Sequence, residues 1–403
     1  MVRESGWNTV KLKDICDFIG GGTPSKQVEN FWCGNIPWIS SSDLIESSIW
    51  EINITRHITA EAVAKSATHI CPRNTVLVVS RVGVGKVAIA PFEVCTSQDF
   101  TNLVSKKHDA RFLAYCIQNK MKIMAEKTQG TSIKGVTVEN IAQMEIELPP
   151  QEEQTAIAEA LFDIDNLISS LQKLIEKKKA IKQGAMQELL TGQKRLPGFN
   201  EEWEELNFAE SAKLKARIGW QGLTTSEYLQ SGFAYLITGT DFHSGRIKWD
   251  TCHFVDEKRY KQDLNIQIKK HDILLSKDGT IGKVAYISDI QKPTTLNSGV
   301  FVIRPAKENS FDPNFVYHVL NSFIFDNFLA KLSAGSTINH LYQKDFVGFT
   351  FKAPSQLVEQ QAIAQVLSDM DSEIEKLEKK LAKYQQIKQG MMQELLTGRI
   401  RLV

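Results

Sequence analysis

The sequence holds little that points to chemistry of its own. Cysteine is scarce: Cys16, Cys33, Cys71, Cys95, Cys116 and Cys252 are scattered through 403 residues with no C-x-x-C pair. That spacing excludes a zinc ribbon and a disulfide scaffold, and predicts reduced thiols in a cytoplasmic protein. The eight histidines show no metal spacing; His57, His69 and His108 lie far apart with no H-x-x-x-H partner. No G-x-x-x-x-G-K-[ST] loop occurs, because Gly83-Val84-Gly85-Lys86 is too short and lies between predicted strands. A dinucleotide fingerprint, a G-x-S-x-G elbow and an Asn-Pro-Pro-Tyr-type methyltransferase motif are missing too. No apolar run approaches the roughly 18 residues that span a bilayer. Met1–Gly20 lacks the apolar core of a secretory signal. The expectation is a chain with no catalytic residues, no metal, no bound cofactor and no membrane.

Charge of one sign is also lacking. Lys and Arg number 48 against 47 Asp and Glu, a net charge of +1. A nucleic-acid binder is often basic, so any DNA surface here must be a local patch or be completed by a basic partner. The 42% hydrophobic and 24% charged composition is that of a globular protein. The length leaves room for about two to four domains.

What the chain does have is repetition, the first thing to look for. Residues 153–196 align without a gap on residues 359–402, Glu153 falling on Glu359, and more than half the positions are identical. KQGAMQELLTG (Lys182–Gly192) recurs at Lys388–Gly398 with one change. Both segments read as long helices. Ile157, Leu161, Ile164, Ile168 and Leu171 in the first form a heptad seam, matched by Ile363, Leu367, Met370, Ile374, Leu377 and Leu381 in the second. These residues are the predicted interface of a helix pair. Glu375, Glu378 and their neighbours fall on a solvated flank. Pro149–Pro150 and Pro354 mark the starts; Gly192 and Gly398 suit the ends. About 40 residues make a rod of roughly 60 Å.

The segments between the rods correspond more weakly. Gly130-Thr131-Ser132-Ile133 matches Gly335-Ser336-Thr337-Ile338, and Asp109 and Asp312 each open an apolar helical stretch. Ser80–Ala88 resembles Ser276–Ala285 with one inserted residue. Predicted strands include Val76–Ser80, Val87–Ala90, Met144–Leu148, Ile273–Ser276, Val284–Ile287, Val300–Arg304 and Gly348–Lys352, with hairpin loops at Val82–Gly85 and Asp278–Gly282. The chain is thus a tandem duplication: a domain at 1–150, a rod at 151–196, a domain at 197–354 and a rod at 355–403. The expected fold class is α+β, with two mixed α/β domains separated by two long helices that form an antiparallel coiled coil, a pseudo-two-fold internal repeat. The rods have stayed alike while the domains diverged. Two readers on one frame, each reading something different, would look like this.

Several loops carry groups suited to phosphates and base edges. Gly20–Lys26 offers flexible backbone with Thr23, Ser25 and Lys26; Ser40–Ser42 contains Ser41; Ser97–Asp99 contains Gln98. Arg81, Lys86, Lys277 and Lys283 flank the hairpin loops. Ser132 and Lys134 sit in one Gly/Ser/Thr loop, and Ser336, Asn339 and His340 in its counterpart. Trp220, Gln221 and Tyr235 could contact bases. Each loop alone fits a solvated turn better; their recurrence in both domains is what argues for function. Lys86 and Lys283, each opening a Lys-Val-Ala stretch after a glycine loop, are expected at phosphates.

Taken together, the two KQG-x-MQELLTG blocks with a following Arg-Leu, Leu196-Pro197-Gly198-Phe199 before Trp203, the early Gly-Gly-Thr-Pro-Ser and the Pro-Pro-Gln-Glu-Glu-Gln start of the rod resemble type I restriction-modification specificity subunits. The resemblance covers the whole chain, including the order of its parts. It implies that each domain reads half of a bipartite site in double-stranded DNA, and that the rods pack antiparallel as a spacer. It further implies that two modification subunits, which bind S-adenosylmethionine and methylate adenine, dock on rods and domains. Restriction subunits, ATP-driven translocases with nuclease activity, would join them, so that S-adenosylmethionine, ATP and Mg belong to partners. Half-sites one DNA turn apart lie roughly 34 Å from each other, within reach of such rods. The short central repeats of some members are missing between Lys182 and Phe199. The alternatives are a coiled-coil scaffold without DNA readout, which leaves the diverged domains unexplained, and a single-chain enzyme, against which the missing cofactor motifs speak.

Overall fold

A computed structural model describes residues 6–128, 136–218, 222–333 and 340–402. The chain packs as two compact units. Unit 1 joins Met1–Lys173 to Glu378–Val403, and unit 2 is Leu174–Leu377.

In unit 1, β1 (Asn8–Lys11) pairs antiparallel with β10 (Glu145–Leu148). An antiparallel sheet follows in the order β2 (Cys16–Gly20), β9 (Phe100–Ser105), β6 (Val76–Val79), β7 (Val87–Ile89). A second sheet has the order β4 (Arg56–Ile58), β3 (Ile36–Ile39), β8 (Val94–Thr96), β5 (Ile70–Cys71), with β3 and β8 parallel. Unit 2 repeats the plan. β11 (Trp203–Asn207) pairs with β21 (Thr350–Pro354). The antiparallel sheet is β12 (Ala212–Lys215), β20 (Val300–Pro305), β17 (Ile273–Ser276), β18 (Val284–Tyr286). The mixed sheet is β16 (His253–Val255), β13 (Ala234–Ile237), β19 (Thr294–Leu296). A short hairpin, β14 (Phe242–His243) with β15 (Arg246–Ile247), is added.

The central strands are apolar throughout because both of their faces are covered. Side chains alternate between the faces. Val76, Val78, Val87 and Leu103 join Phe112 and Ile117 of the helix Ala110–Thr128 in one core. Leu77, Val79, Ala88 and Phe100 join Ile39 and Val94 of the other sheet in a second. Unit 2 divides the same way: Ile273, Leu275 and Ile303 pack with Phe315 and Val319, whereas Leu274, Ala285 and Val302 pack with Ile237 and Leu296. Asp109 and Asp312 start their helices as expected, accepting from the Phe112 and Phe315 N–H groups.

The rods are helices of 39 residues, Gln151–Leu189 and Leu357–Leu395. A buried glutamine fixes each start. Gln154 donates to the Pro149 carbonyl and accepts from the Asp109 N–H; Gln360 does the same with Pro354 and Asp312. Each end turns on a left-handed glycine, Gly192 at φ +73° and Gly398 at φ +68°, facing Trp203 and Trp7 respectively.

Within each unit the rods run antiparallel. In unit 1, Lys388 Nζ lies 2.6 Å from Asp165, and Arg401 grips the fully buried Glu153 at 2.5 and 2.6 Å. In unit 2, Lys182 lies 2.5 Å from Asp371, and Arg195 grips Glu359 at 2.6 and 2.8 Å. Ile164, Leu171 and Ile374 are buried, and Ile168, Met370, Leu377 and Leu381 half-buried. The first heptads do more than line a seam. Ile157 and Leu161 belong to the core of unit 1 together with Leu395 and Leu396. Ile363 and Leu367 belong to that of unit 2 with Met186, Leu189 and Leu190.

Candidate nucleic-acid interface

Three turns converge at one end of the strands in each unit. In unit 1 they are the turn after β3 (Ser40–Asp43), the hairpin loop between β6 and β7 (80–86) and the turn between β8 and β9 (97–99). Because β3 and β8 are parallel, they finish at the same edge, where the Ser97 N–H donates to the Ile39 carbonyl at 2.8 Å. The Ser80 N–H donates to the Asp99 carbonyl at 2.8 Å. Lys86 Nζ donates to the Ser41 and Leu44 carbonyls at 3.1 and 3.0 Å, closing the set. Unit 2 keeps the first two ties: Asn297 N–H to Ile237 carbonyl, and Lys277 N–H to Gly299 carbonyl, both 2.9 Å.

The turn after the central parallel strand is built identically in both. Ser40 N–H and hydroxyl donate to Asp43 Oδ2 at 2.7 and 3.0 Å; Thr238 N–H and hydroxyl donate to Asp241 Oδ2 at 2.7 and 2.8 Å. Both aspartates are buried and hold the turn by satisfying its N–H groups. Asp43 also takes Arg56 at 2.5 Å, whose guanidinium lies 4.7 Å from the centre of the Trp38 ring. The sequence reading singled out Ser40–Ser42 but missed Thr238-Gly239-Thr240-Asp241. The available signal was a hydroxyl three residues before Asp, directly after an apolar strand.

The register corrects the comparison of the hairpin loops. The Val79 N–H donates to the Lys86 carbonyl, and the Ser276 N–H to the Lys283 carbonyl, both at 2.9 Å. Val78 pairs with Val87, and Leu275 with Val284. Val79 therefore matches Ser276, Lys86 matches Lys283, and the loops are equal in length, with no inserted residue. Ser80 is the counterpart of Lys277, not of Ser276, and Arg81 is the counterpart of Asp278.

The glycine tract is also not the flexible loop expected. A Cβ on Gly21 would lie 1.9 Å from the Ser97 carbonyl oxygen, and one on Gly22 2.3 Å from Ala67 backbone. These glycines permit close backbone approach and so seat Thr23, whose hydroxyl donates to Gln98 Oε1. Ser25 and Lys26 are exposed beyond it.

In unit 1, Ser80, Arg81, Val82, Gly83, Gln98 and Thr101 line a groove. Arg81 is exposed. In unit 2 the groove is lined by Thr240, Asp278, Thr280, Lys283 and Ser298 among others. Lys277 Nζ sits 5.3 Å from the centre of the Phe301 ring. His340 Nδ1 pairs with Asp278. Tyr235, on the middle strand of the mixed sheet, packs on Phe254 with ring centres 4.8 Å apart. Ser132, Lys134, Trp220, Gln221, Ser336 and Asn339 lie outside the described residues. Arg217 was missed altogether: it is buried and donates to the Leu296 carbonyl at 2.8 Å and the Thr295 hydroxyl at 3.2 Å.

The grooves offer hydrogen-bond donors and acceptors. Burial pushes the Cys16, Cys71 and Cys252 thiols up to about 12, which keeps them protonated and poor nucleophiles. Among the described residues no cluster of three His, Cys, Asp or Glu is placed to hold a metal ion, and no helix is long and apolar enough to cross a membrane.

Residues 4–183 and 200–389 match the family model of the type I restriction modification DNA specificity domain. Over 417 residues the chain is 26% identical to the type I restriction enzyme MjaVIII specificity subunit of Methanocaldococcus jannaschii, covering 98% of this chain and 93% of the relative. It is 31% identical to the type I restriction enzyme EcoR124I/EcoR124II specificity subunit of Escherichia coli over 42% of this chain and 43% of that one. Among solved structures, its fold is similar to the type I restriction-modification S subunit from M. genitalium, with a TM-score of 0.64, 17% identity, and 98% and 97% of the two chains covered.

Proposed function

Because the chain belongs to the type I restriction-modification DNA specificity family, we propose that it is the DNA-recognition subunit of such a complex, each domain reading one half of a bipartite target. One observation carries this reading: the same three-turn frame is built twice, with its backbone ties kept and its groove side chains changed. A common frame fixes where DNA lies; different side chains read different base edges.

In this proposal Thr23, Ser25, Lys26, Ser41, Arg81 and Gln98 face DNA from the first domain, and Lys277, Lys283 and His340 from the second. Lys86 keeps one N–H for a phosphate, two being engaged by carbonyls. The domains are 1–150 and 197–354. The rods, 151–196 and 355–403, set the interval between half-sites and dock two modification subunits, with restriction subunits joining outside. S-adenosylmethionine, ATP and Mg are held by those partners, and this chain supplies no reacting group. A net charge of +1 fits a complex whose partners make much of the phosphate contact.

The test is to express the chain with its modification subunit and map methylated adenines, before and after exchanging Met1–Pro150 for the matching domain of a relative. One half of the methylated motif should change and the other persist. A swap that altered both halves or neither would overturn modular reading, and a scaffold without readout would give no motif.

A further inference from the structure

We infer that Arg81 and Asp278 are matched specificity-determining residues that make the two half-sites chemically opposite at one base, Arg81 reading a guanine and Asp278 an exocyclic amine. The inference rests on the DNA-recognition reading and deepens it. Strand register puts the two residues at the same place in the two folds, two positions beyond Val79 and Ser276. Each lines the groove of its own unit.

Arg81 is exposed on the hairpin loop beside Val82, itself 69% exposed. Its fork of donors fits the paired acceptors O6 and N7 of guanine. Gln98 shares the groove, and the Thr23 hydroxyl bonded to its Oε1 sets the plane of that amide. The face is thus donor-rich, with its second polar group already oriented.

Asp278 reverses the charge. A carboxylate cannot contact a phosphate, and on a DNA-facing surface its productive partner is an N–H donor. The exposed donors of base edges are the exocyclic amines: cytosine N4, adenine N6, and guanine N2 in the minor groove. His340 Nδ1 pairs with Oδ1, which fixes the carboxylate plane. Lys283, in the same groove, supplies the nearby cation.

The experiment compares methylation by the complex with the modification subunit for wild type, Arg81→Ala and Asp278→Asn. The asparagine keeps the size of the side chain and an acceptor for His340. Arg81→Ala should relax one guanine position in the first half-site and lower discrimination there about 10- to 100-fold. Asp278→Asn should relax or change one position in the second half-site. An A·T pair at that position in the wild-type motif assigns adenine N6, and a G·C pair assigns cytosine N4 or, in the minor groove, guanine N2. In each variant the untouched half-site reports that the protein is folded and assembled. The inference is overturned if both variants keep the wild-type motif at unchanged rates, or if the position relaxed by Arg81→Ala is not guanine. It is equally overturned if Asp278→Asn leaves every position of the second half-site unchanged. A wild-type complex with no bipartite motif would instead overturn the recognition reading itself, a distinguishable result.

Discussion

Replacing Lys388 with methionine should destabilise the protein far more than the same change at its repeat mate, Lys182. Lys388 Nζ lies 2.6 Å from Asp165, and the two side chains are only 12% and 9% exposed. The Tyr115 hydroxyl donates to the other oxygen of Asp165 at 2.7 Å. Burial, and then Asp165, push that phenol well above its usual range, so it stays a donor and cannot replace the cation. Methionine keeps most of the apolar stem. What is lost is the countercharge of a buried carboxylate, a change that costs about 3–5 kcal/mol. Lys182 and Asp371 are 2.5 Å apart, but that carboxylate is 33% exposed. Water can take the place of the cation there, so the cost should be about 1 kcal/mol. Thermal unfolding at fixed protein concentration reads the difference. For a unit of this size each kcal/mol lowers Tm by roughly 2–4 °C. K388M should therefore fall by roughly 6–20 °C, K182M by a few degrees. High salt should narrow the gap little, because buried pairs are weakly screened. Adding Asp165→Asn to K388M should restore much of the loss. Equal shifts for K388M and K182M would refute the argument that burial decides the cost.

Two further outcomes follow from the packing. Leu367→Ala should cost about 2–5 kcal/mol, since Leu367 is fully buried, and Leu377→Ala clearly less, since Leu377 is half-buried; denaturant unfolding showing the reverse order would mean the seam is misassigned. His318 is buried, and desolvation, followed by Lys182, lowers its pKa to about 3. The unfolded chain then takes up a proton below about 6.5 that the folded chain refuses until about 3. Stability should be intact above that window and fall by up to about 1.4 kcal/mol per pH unit on acidification through it. His318→Gln should flatten this acid limb, and an unchanged limb would exclude the histidine.

The rods were legible because a heptad seam and a repeated block are local patterns, and the long helices stand where Ile157–Leu171 and Ile363–Leu381 placed them. Some strands were legible for the same reason, among them β6, β7, β17, β18 and β20; β2, β9, β12 and both mixed sheets went unread, and the predicted Gly348–Lys352 begins two residues later, at Thr350, because Phe346 and Phe349 are turned into the core. The interface was legible only in pieces. Gln98, Arg81, Thr23 and Ser41 were each visible as turn residues, but only tertiary ties such as Ser97 N–H to Ile39 carbonyl bring them to one edge. Matching serines drew Ser80 onto Ser276, although hydrogen-bond register, which sequence identity does not encode, pairs Ser276 with Val79. Arg217 had no signal, because its partners are the Leu296 carbonyl and the Thr295 hydroxyl, 79 and 78 residues away.

The make-up of unit 1 has a consequence for how the protein is made. Its compact body needs Glu378–Val403 as well as Met1–Lys173, whereas unit 2 is one continuous stretch. During vectorial synthesis the first domain leaves the ribosome with Leu161, Phe112 and the carboxylate of Glu153 lacking their later neighbours Leu395, Leu396 and Arg401. Unit 2 can close its core without those neighbours. The domain translated first is therefore the one completed last, and it carries an open apolar flank for the whole time that residues 174–377 are being added. Chaperone binding to a stalled nascent chain, and aggregation on slow translation of the second half, should accordingly concentrate on unit 1.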